Sequence, residues 1–353
     1  MADINITAIE LLKQKSFIGL VIDKVNSTLD DEVQFTKWFG FAPTRARDWK
    51  SGYTKVSSVR AGSVIDKYSN NPIEEREAFV ENYISVISMG DDLQKRMDLI
   101  EEINDILDQA DSMDEAVKQA VDVVFDDYRK VVLMPYKRMD AVVGQFLTDA
   151  QAVIDMTTNP DGIQVPASSL KIPFLKEEVT KANQAKFLSW LKDFLAKNSL
   201  EGGRLIMNAT TFLNVMSGSD EFKGAYTALL PNAEFLVTGG LITNEMANKV
   251  FTSLGLPLVE IVDNYVNYGD KRVKMIGDNS IAVVPMGELG KIRYYDASKK
   301  ITPTADVDVQ LLQGKHVVKT KYTEEGIVIG YNAEWIPEFT TIPEIAILSL
   351  KEK

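Results

Sequence analysis

The chain of 353 residues is long enough for about two domains, and its 45% hydrophobic and 25% charged residues are typical of a globular protein. It has no Cys and a single His, which excludes disulfides, a cysteine nucleophile and a zinc site with paired imidazoles. The formal net charge of −12 argues against a protein that grips nucleic acid, because phosphate binding depends on Lys and Arg. Residues 1–15 lack a basic patch followed by an apolar stretch, so we expect neither secretion by a standard signal nor insertion into a membrane.

The charges are unevenly distributed along the chain. Residues 74–127 contain 17 acidic and four basic residues. Residues 44–60 reverse the sign, with Asp48 as the one acidic residue among five basic ones: Arg45, Arg47, Lys50, Lys55 and Arg60. Both runs are typical of solvated surface, and the alternative is that an acidic helix and a basic loop meet across copies of the chain.

The first 43 residues predict an N-terminal arm with two short helices. The apolar spacing favours a helix from Ile9 to about Val25, and Asp30 is suited to cap the start of a second helix. Residues 44 to about 71 alternate small, basic and β-branched residues between glycines, which predicts an extended loop of two strands. This loop has too few apolar residues for a core, so we expect it to lie on its own body or on a neighbouring molecule.

A long helical region is predicted from Pro72 to about Ile154. Two apolar stripes with three- and four-residue spacing support it. They comprise Leu93, Met97, Ile100, Ile103 and Leu107, and then Val117, Val121, Val124, Tyr128 and Val131. We expect a break with a new N-cap at residues 111–114 and a kink or a restart at Pro135. A single helix of about 30 residues here would be roughly 45 Å long.

After a turn at residues 159–162 the pattern becomes mixed. Helices are predicted at 183–197, from Thr210 or Thr211, after a cap at Ser219, and at 243–254 with Gly255 closing the last of them. Strands are predicted at 205–207, 258–262, 281–284, 292–295, 307–311, 316–322, 327–335 and 344–350. The fold class is therefore α+β.

No familiar catalytic constellation can be recognised. The glycine pairs lack the spacing and flanking Lys of a phosphate loop, and no Ser stands in a nucleophile-elbow pattern. His316 fits a residue of a pleated sheet, and Asp306 and Asp308 fit solvated surface better than a cation site. We therefore predict a protein that is not an enzyme, with no catalytic residue, no cofactor and no metal.

Large aromatic residues mark candidate interfaces. Trp190 is predicted to be core, whereas Trp38 and Trp49 lie in segments with little core of their own, where an intermolecular contact is as plausible as an intramolecular one. The predicted inter-subunit contacts are Trp38, Phe39, Arg45, Arg47, Trp49, Lys50, Lys55 and Arg60.

Four short segments of the C-terminal half point to a known family by their order and spacing. They are GRLIMNATTF at 203–212, LGLPL at 254–258, GKIRYY at 290–295 and IPEIA at 342–346. Together with the arm, the basic loop and the long acidic helix, they resemble the major capsid proteins of tailed bacteriophages, which share the Hong Kong 97-type fold, and the lambda-type branch in particular. The resemblance covers residues from about 40 to the end, and the first 40 residues depart from it.

The resemblance implies a subunit of four parts. They are an N-terminal arm at 1–43, an extended loop at 44–72, a peripheral domain with a spine helix at 73–199 and 291–335, and an axial domain at 200–290 and 336–353. Such subunits assemble as hexamers and pentamers into an icosahedral shell that encloses double-stranded DNA without sequence preference. A portal at one vertex, and in some relatives a decoration or scaffolding protein, complete the virion, which is assembled in the bacterial cytoplasm.

Two alternatives remain open at this point. The first keeps the fold but makes the shell an encapsulin-like compartment that houses cargo protein. The second is an unrecognised α+β enzyme, for which a convergent apolar pocket with two or more perturbed ionisable groups would be evidence.

Overall fold

The computed structural model describes residues 7–54, 79–96, 98–155, 157–159, 168–200, 202–229, 242–296, 307–312, 314–323 and 326–351. The chain divides into two units, each made of separate segments. Unit 1 comprises residues 1–49, 85–140 and 291–338, and unit 2 comprises residues 50–84, 141–290 and 339–353. The predicted boundary between peripheral and axial parts, near residue 200, remains a prediction.

The N-terminal residues form helices that pack into unit 1. They are α1 (Ala8–Leu12), α2 (Lys15–Asn26) and α3 (Leu29–Glu32), followed by a 3-10 turn (Phe35–Lys37). One side of α1 and α2 is buried within the same chain, whereas Ile9 and Leu20 are exposed. The buried residues are Ala8, Leu11, Leu12, Phe17, Ile18, Val21, Ile22 and Val25. The arm is therefore part of the folded body, and α1 packs on α4 (Asp98–Gln109).

The predicted boundaries of these helices were wrong in two places. The helix expected from Ile9 to Val25 is interrupted between α1 and α2, where Gln14 precedes α2 with an extended backbone. Asp30 lies inside α3 and Thr28 occupies the N-cap position. An acidic residue is favourable both as a cap and in the first turn, where it faces the positive end of the helix dipole, so its presence does not fix the first residue.

The extended loop begins as predicted but differs beyond residue 71. Strand β1 (Phe39–Thr44) precedes β2 (Asp48–Thr54), which pairs with β3 (Phe79–Ser85) in a two-stranded sheet. The predicted loop positions Lys55 and Arg60 lie outside the described residues.

The predicted helix over residues 79–96 is wrong. The chain there forms β3 and then β4 (Ile87–Arg96), which pairs antiparallel with β16 (Gly326–Phe339) over its whole length. Leu93, assigned to a helical stripe, faces Ile329 in that ladder. The segment contains adjacent aspartates and has a weak preference for strand, but the long-range backbone hydrogen bonds to β16 stabilise it as a strand.

The long helix is confirmed and is longer than expected. Helix α5 runs from Met113 to Asp149, 37 residues, which corresponds to about 55 Å. The predicted N-cap is present, since the Ser112 hydroxyl accepts a hydrogen bond from the Glu115 amide. The helix continues through Pro135, so the predicted restart was wrong. Val131, Val132, Tyr136 and Met139 around Pro135 are buried, and this packing offsets the lost backbone hydrogen bond.

The sheet of unit 1 has β16 in its centre. The strand order is β1–β13–β16–β15–β14, with β4 also paired to β16, where β13 is Gly290–Tyr295, β14 is Val307–Leu312 and β15 is His316–Thr323. The pairs are antiparallel where β16 meets β15 and β4, with Trp335 opposite Ile87. The predicted C-terminal strands are thus confirmed, and β16 extends four residues beyond the expected end at Trp335.

Unit 2 contains a five-stranded sheet in the order β7–β17–β12–β8–β9. The strands are β7 (Leu175–Val179), β8 (Arg204–Met207), β9 (Leu258–Ile261), β12 (Ser280–Val284) and β17 (Ala346–Leu350). Pairs β8–β9 and β17–β7 are parallel, and β12 is antiparallel to both of its neighbours.

Five helices accompany this sheet in the described part of unit 2. They are α6 (Lys181–Ala185), α7 (Phe187–Asn198), α8 (Ala209–Gly218), α9 (Asp220–Leu229) and α10 (Asn244–Ser253). All of them except α6 contribute residues to the core of the sheet. The cap of Ser219 and the left-handed Gly255 (φ 69°) are as predicted, and Thr243, the expected first residue of α10, is its N-cap. The cap of α8 is Asn208 and not Thr210 or Thr211, because the Asn208 side chain accepts a hydrogen bond from the Thr211 amide.

Short strands that the sequence did not reveal complete unit 2. The hairpin β10–β11 (Tyr265–Tyr268 and Lys271–Lys274) and the pair β5–β6 (Gln151–Ile154 and Ser168–Lys171) are two-stranded. Within the described residues, no helix is long and apolar enough to cross a membrane.

Candidate functional site at the base of the extended loop

Two residues of the predicted contact set, Arg47 and Trp49, contact carboxylates of β16. Arg47 lies in the bend that precedes β2, and Trp49 is the second residue of that strand. Glu334 and Glu338 are four residues apart on β16 and share a face. The Arg47 Nε donates to Glu334 Oε2 at 3.1 Å, and the Trp49 Nε1 donates to Glu338 Oε1 at 3.3 Å.

Both glutamates are almost inaccessible to solvent, with exposures of 5% for Glu334 and 6% for Glu338. A buried carboxylate is costly unless it is paired and hydrogen-bonded. Each has a second donor from the sheet: the Ser88 hydroxyl donates to Glu334 Oε1 at 3.1 Å, and the Arg293 Nε donates to Glu338 Oε2 at 2.5 Å. The group of Arg47, Trp49, Ser88, Arg293, Glu334 and Glu338 is named the stem cluster below.

The stem cluster is closed by contacts of Arg47 with two further elements. Its guanidinium lies over the ring of Tyr295, 5.0 Å from the centroid. Its backbone carbonyl accepts a hydrogen bond of 3.0 Å from the amide of Val86. The Arg47 side chain is half-exposed, so the ion pair connects a solvated cation to a buried anion.

Trp38 and Phe39 belong to the interior of their own chain. Trp38 is fully buried and Phe39 is 2% exposed. The neighbouring Phe41 packs edge-to-face on Trp335 and Tyr136, with centroids 5.1 and 5.9 Å away. Trp38 and Phe39 therefore have no accessible surface to offer a neighbour, which corrects the expectation for these two positions.

The other basic residues of the predicted contact set remain candidates. The side chains of Arg45 and Lys50 are exposed, and Lys55 and Arg60 lie outside the described residues. Their role in contacts between copies stays a prediction.

The acidic run forms one solvated face on α4 and the start of α5. Its apolar stripe, with Ile103 and Leu107, is buried. The exposed carboxylates are those of Glu101, Glu102, Asp105, Asp108, Asp111, Asp114 and Glu115. Among the side chains that the structure describes, no Lys or Arg forms an ion pair with these seven. This face is therefore strongly negative.

His316 begins strand β15, in agreement with its predicted place in a sheet, and it is also part of the core. It is fully buried beside Tyr136 and Trp335, with ring centroids 5.7 and 5.5 Å away. Burial, helped by the charge of Lys315, lowers the pKa of His316 from 6.5 to about 3. Within the described part of the chain, neither ring nitrogen has a hydrogen-bond partner.

The predicted acidic pair at the start of β14 cannot be assessed as a cation site. Asp306 lies outside the described residues, and so does the side chain of Asp308. Among the residues that are described, no group of three or more His, Asp or Glu is arranged to hold a metal ion.

A cavity of about 160 Å³ lies in unit 2 between the hairpin β10–β11 and the end of α5, and Gln145, Tyr268 and Lys274 line it. It is smaller than the roughly 300 Å³ of a small ligand pocket. A hydrogen bond to Asp278 raises the pKa of Lys274.

The two glutamates of the stem cluster were missed by the sequence reasoning. The signal was present, because a strand as apolar as residues 326–339 does not bury Glu334 and Glu338 unless a cation or another donor reaches them. Which donor reaches them depends on the tertiary arrangement.

Comparisons with known proteins identify the fold. No protein-family model matches the chain, and none of the curated proteins matches it. Among solved structures, a phage-related protein from Bordetella bronchiseptica RB50 matches with a TM-score of 0.53 and 11% identity, over 94% of this chain and 96% of that one. A protein from E. coli CFT073 assigned as a prophage capsid protein matches with a TM-score of 0.54 and 9% identity, over 94% and 98%. The chain thus has the α+β fold of Hong Kong 97 type that the resemblance implied.

Proposed function

We propose that this chain is a major capsid protein of a tailed bacteriophage, a structural subunit that assembles with copies of itself. The observation that carries the proposal is the fold shared with a prophage capsid structure over nearly the full length of both chains. A fold alone does not determine function, so the physical properties of the chain have to agree with it.

The proposed assembly is an icosahedral shell of hexamers and pentamers around double-stranded DNA. Its further components are a portal at one vertex and, where required, a decoration or scaffolding protein. The net charge of −12 is favourable in such a shell, because an acidic lining does not bind packaged DNA tightly. The subunit has a binding and structural role in this proposal, with no catalytic step.

The extended loop and the acidic face are the proposed contacts between copies. The exposed cations Arg45 and Lys50, with Lys55 and Arg60, bear charge opposite to that of the exposed acidic face on α4 and α5. Opposite patches steer association and fix its register. Arg47 has a different role, because its guanidinium is bound to Glu334 in its own chain.

A charge-reversal experiment tests these contacts. The double variant R45E/K50E is expected to lose shells while the subunit keeps its circular dichroism spectrum, because like charges would then face each other. The matched control is K223E/K249E, which changes the net charge equally on α9 and α10. Normal shells from R45E/K50E would refute this contact, and loss of shells in the control as well would show that net charge alone decides assembly.

The particle contents test the proposed function. Particles purified from infected or induced cells are expected to contain DNA and one tail vertex. Uniform small shells filled with protein would instead support the encapsulin-like alternative and overturn the capsid proposal.

A further inference from the structure

The two ends of the extended loop meet at one point in unit 1. The outgoing stem reaches Arg47 just before β2, and the returning stem continues from β3 into β4 through Val86. The amide of Val86 donates to the carbonyl of Arg47 at 3.0 Å. This hydrogen bond joins the two stems beside the paired strands β2 and β3.

Glu334 connects both stems with one carboxylate. Its Oε2 accepts from Arg47 on the outgoing stem, and its Oε1 accepts from Ser88 on the returning stem. Both oxygens are used, and the carboxylate is 5% exposed. Hydrogen bonds with a charged partner are stronger than neutral ones, and their strength increases where water is excluded.

Glu338 supplies a second attachment four residues further along β16. Its Oε1 accepts from the indole of Trp49, and its Oε2 accepts from Arg293 on β13. The outgoing stem is therefore held at two residues, Arg47 and Trp49, which fixes its position.

We infer that Glu334 and Glu338 form a two-point clamp that holds the two stems of the extended loop, residues 47–49 and 86–88, in place in the free subunit, before a neighbour binds. The inference rests on the proposed function and adds to it, because a loop held in advance loses less conformational entropy on assembly. Assembly then depends on contacts within the subunit as well as on contacts between copies.

The chemistry of the clamp selects informative variants. In E338Q the side chain keeps its shape but has one acceptor oxygen for two donors, so Trp49 or Arg293 loses its partner. In E334Q the Ser88 hydroxyl can accept from the new amide, but the charge that pairs with Arg47 is removed. The variant R47M removes the guanidinium at a half-exposed position and leaves the sheet core intact. The matched control is E245Q, which breaks an exposed ion pair between Glu245 and Lys249 on α10.

Hydrogen–deuterium exchange of the unassembled full-length chain measures the clamp directly. The readout is the peptide that contains the amide of Val86. We expect its exchange to be about tenfold faster in E334Q, E338Q and R47M, which corresponds to about 1.4 kcal/mol, and unchanged in E245Q. Unchanged exchange in all three clamp variants would overturn the inference whether or not shells form. R47M keeps the test valid if the buried substitutions prevent folding.

Electron microscopy of the same preparations tests the consequence for assembly. We expect the yield of closed particles to fall about tenfold in the clamp variants relative to E245Q, in proportion to the loss of the oriented state. Faster exchange with a normal particle yield would overturn the role of the clamp in assembly. A wild-type chain that forms no shells under any condition would overturn the proposed function, while the exchange result would still decide whether the clamp exists.

Discussion

The carboxylate of Asp140 offers a quantitative test of how the N-terminal segment is held in unit 1. Asp140 lies on α5 and is 1% exposed. Its Oδ1 accepts from the amides of Gln34 and Phe35 at 3.0 and 2.8 Å, and the Lys137 Nζ lies 3.7 Å from its Oδ2. Burial raises the pKa of Asp140 from 3.8 to about 6, against the opposing effect of these donors.

This shift makes the contribution of Asp140 dependent on pH. The folded state binds the proton more tightly than the unfolded state, so the stabilisation is complete below about pH 4 and is lost as the pH rises through 6. A shift of about two pKa units corresponds to roughly 3 kcal/mol. In D140N the side chain keeps an acceptor oxygen for the two amides but does not titrate.

Urea unfolding of the wild type and D140N between pH 4 and 7 is the assay. We expect the free energy of unfolding of the wild type, relative to D140N, to fall by about 3 kcal/mol from pH 4 to pH 7. D149N is the control, since Asp149 is an exposed residue on the same helix. A difference between wild type and D140N that does not change with pH, or that increases as the pH rises, would refute the reasoning.

Three further predictions concern buried positions. H316F should stabilise the chain by about 1–3 kcal/mol at pH 7, because it removes two polar nitrogens without partners. The wild type should lose stability as the pH falls from 6.5 through 3, and H316F should not show this loss. Thermal unfolding as a function of pH checks both expectations. G144A should destabilise despite the better helix propensity of Ala, because its Cβ would lie 2.2 Å from the Met275 carbonyl oxygen, whereas G224A meets open space and should stabilise by about 0.5–1 kcal/mol in the same denaturation assay. N208A should cost about 2–4 kcal/mol in urea unfolding, because it removes the cap of α8 and two donated hydrogen bonds, and a cost under 1 kcal/mol would contradict this.

The sequence predicted best those elements whose residues repeat with a clear period. Helix α5 and strand β16 carry unbroken apolar patterns, and both exist where expected. The pattern did not reveal that α5 continues through Pro135, because that continuity is maintained by tertiary packing around the proline.

Residues 79–96 show the opposite case. The acidic residues and the spacing of the apolar residues predicted a helix here, but the segment forms β3 and β4. Strand β4 forms because it pairs at ten positions with β16, which lies more than two hundred residues later in the chain. Local propensity cannot reveal such a partner.

The candidate site was predicted only in part, because some of its residues come from a distant strand. The basic residues of the loop could be found from their local excess of charge, and Arg47 and Trp49 do occupy a polar site. Their partners Glu334 and Glu338 depend on which strand the loop crosses, and that is a property of the assembled sheet.

Cryo-electron microscopy of particles formed by the purified 353-residue chain tests the central claim most directly. We predict closed icosahedral shells of hexamers and pentamers in which the loop of one copy, carrying β2 and β3, lies on the acidic face of its neighbour. A chain that remains a monomer or a small discrete oligomer at all concentrations and salt conditions, with well-folded units 1 and 2, would contradict the claim.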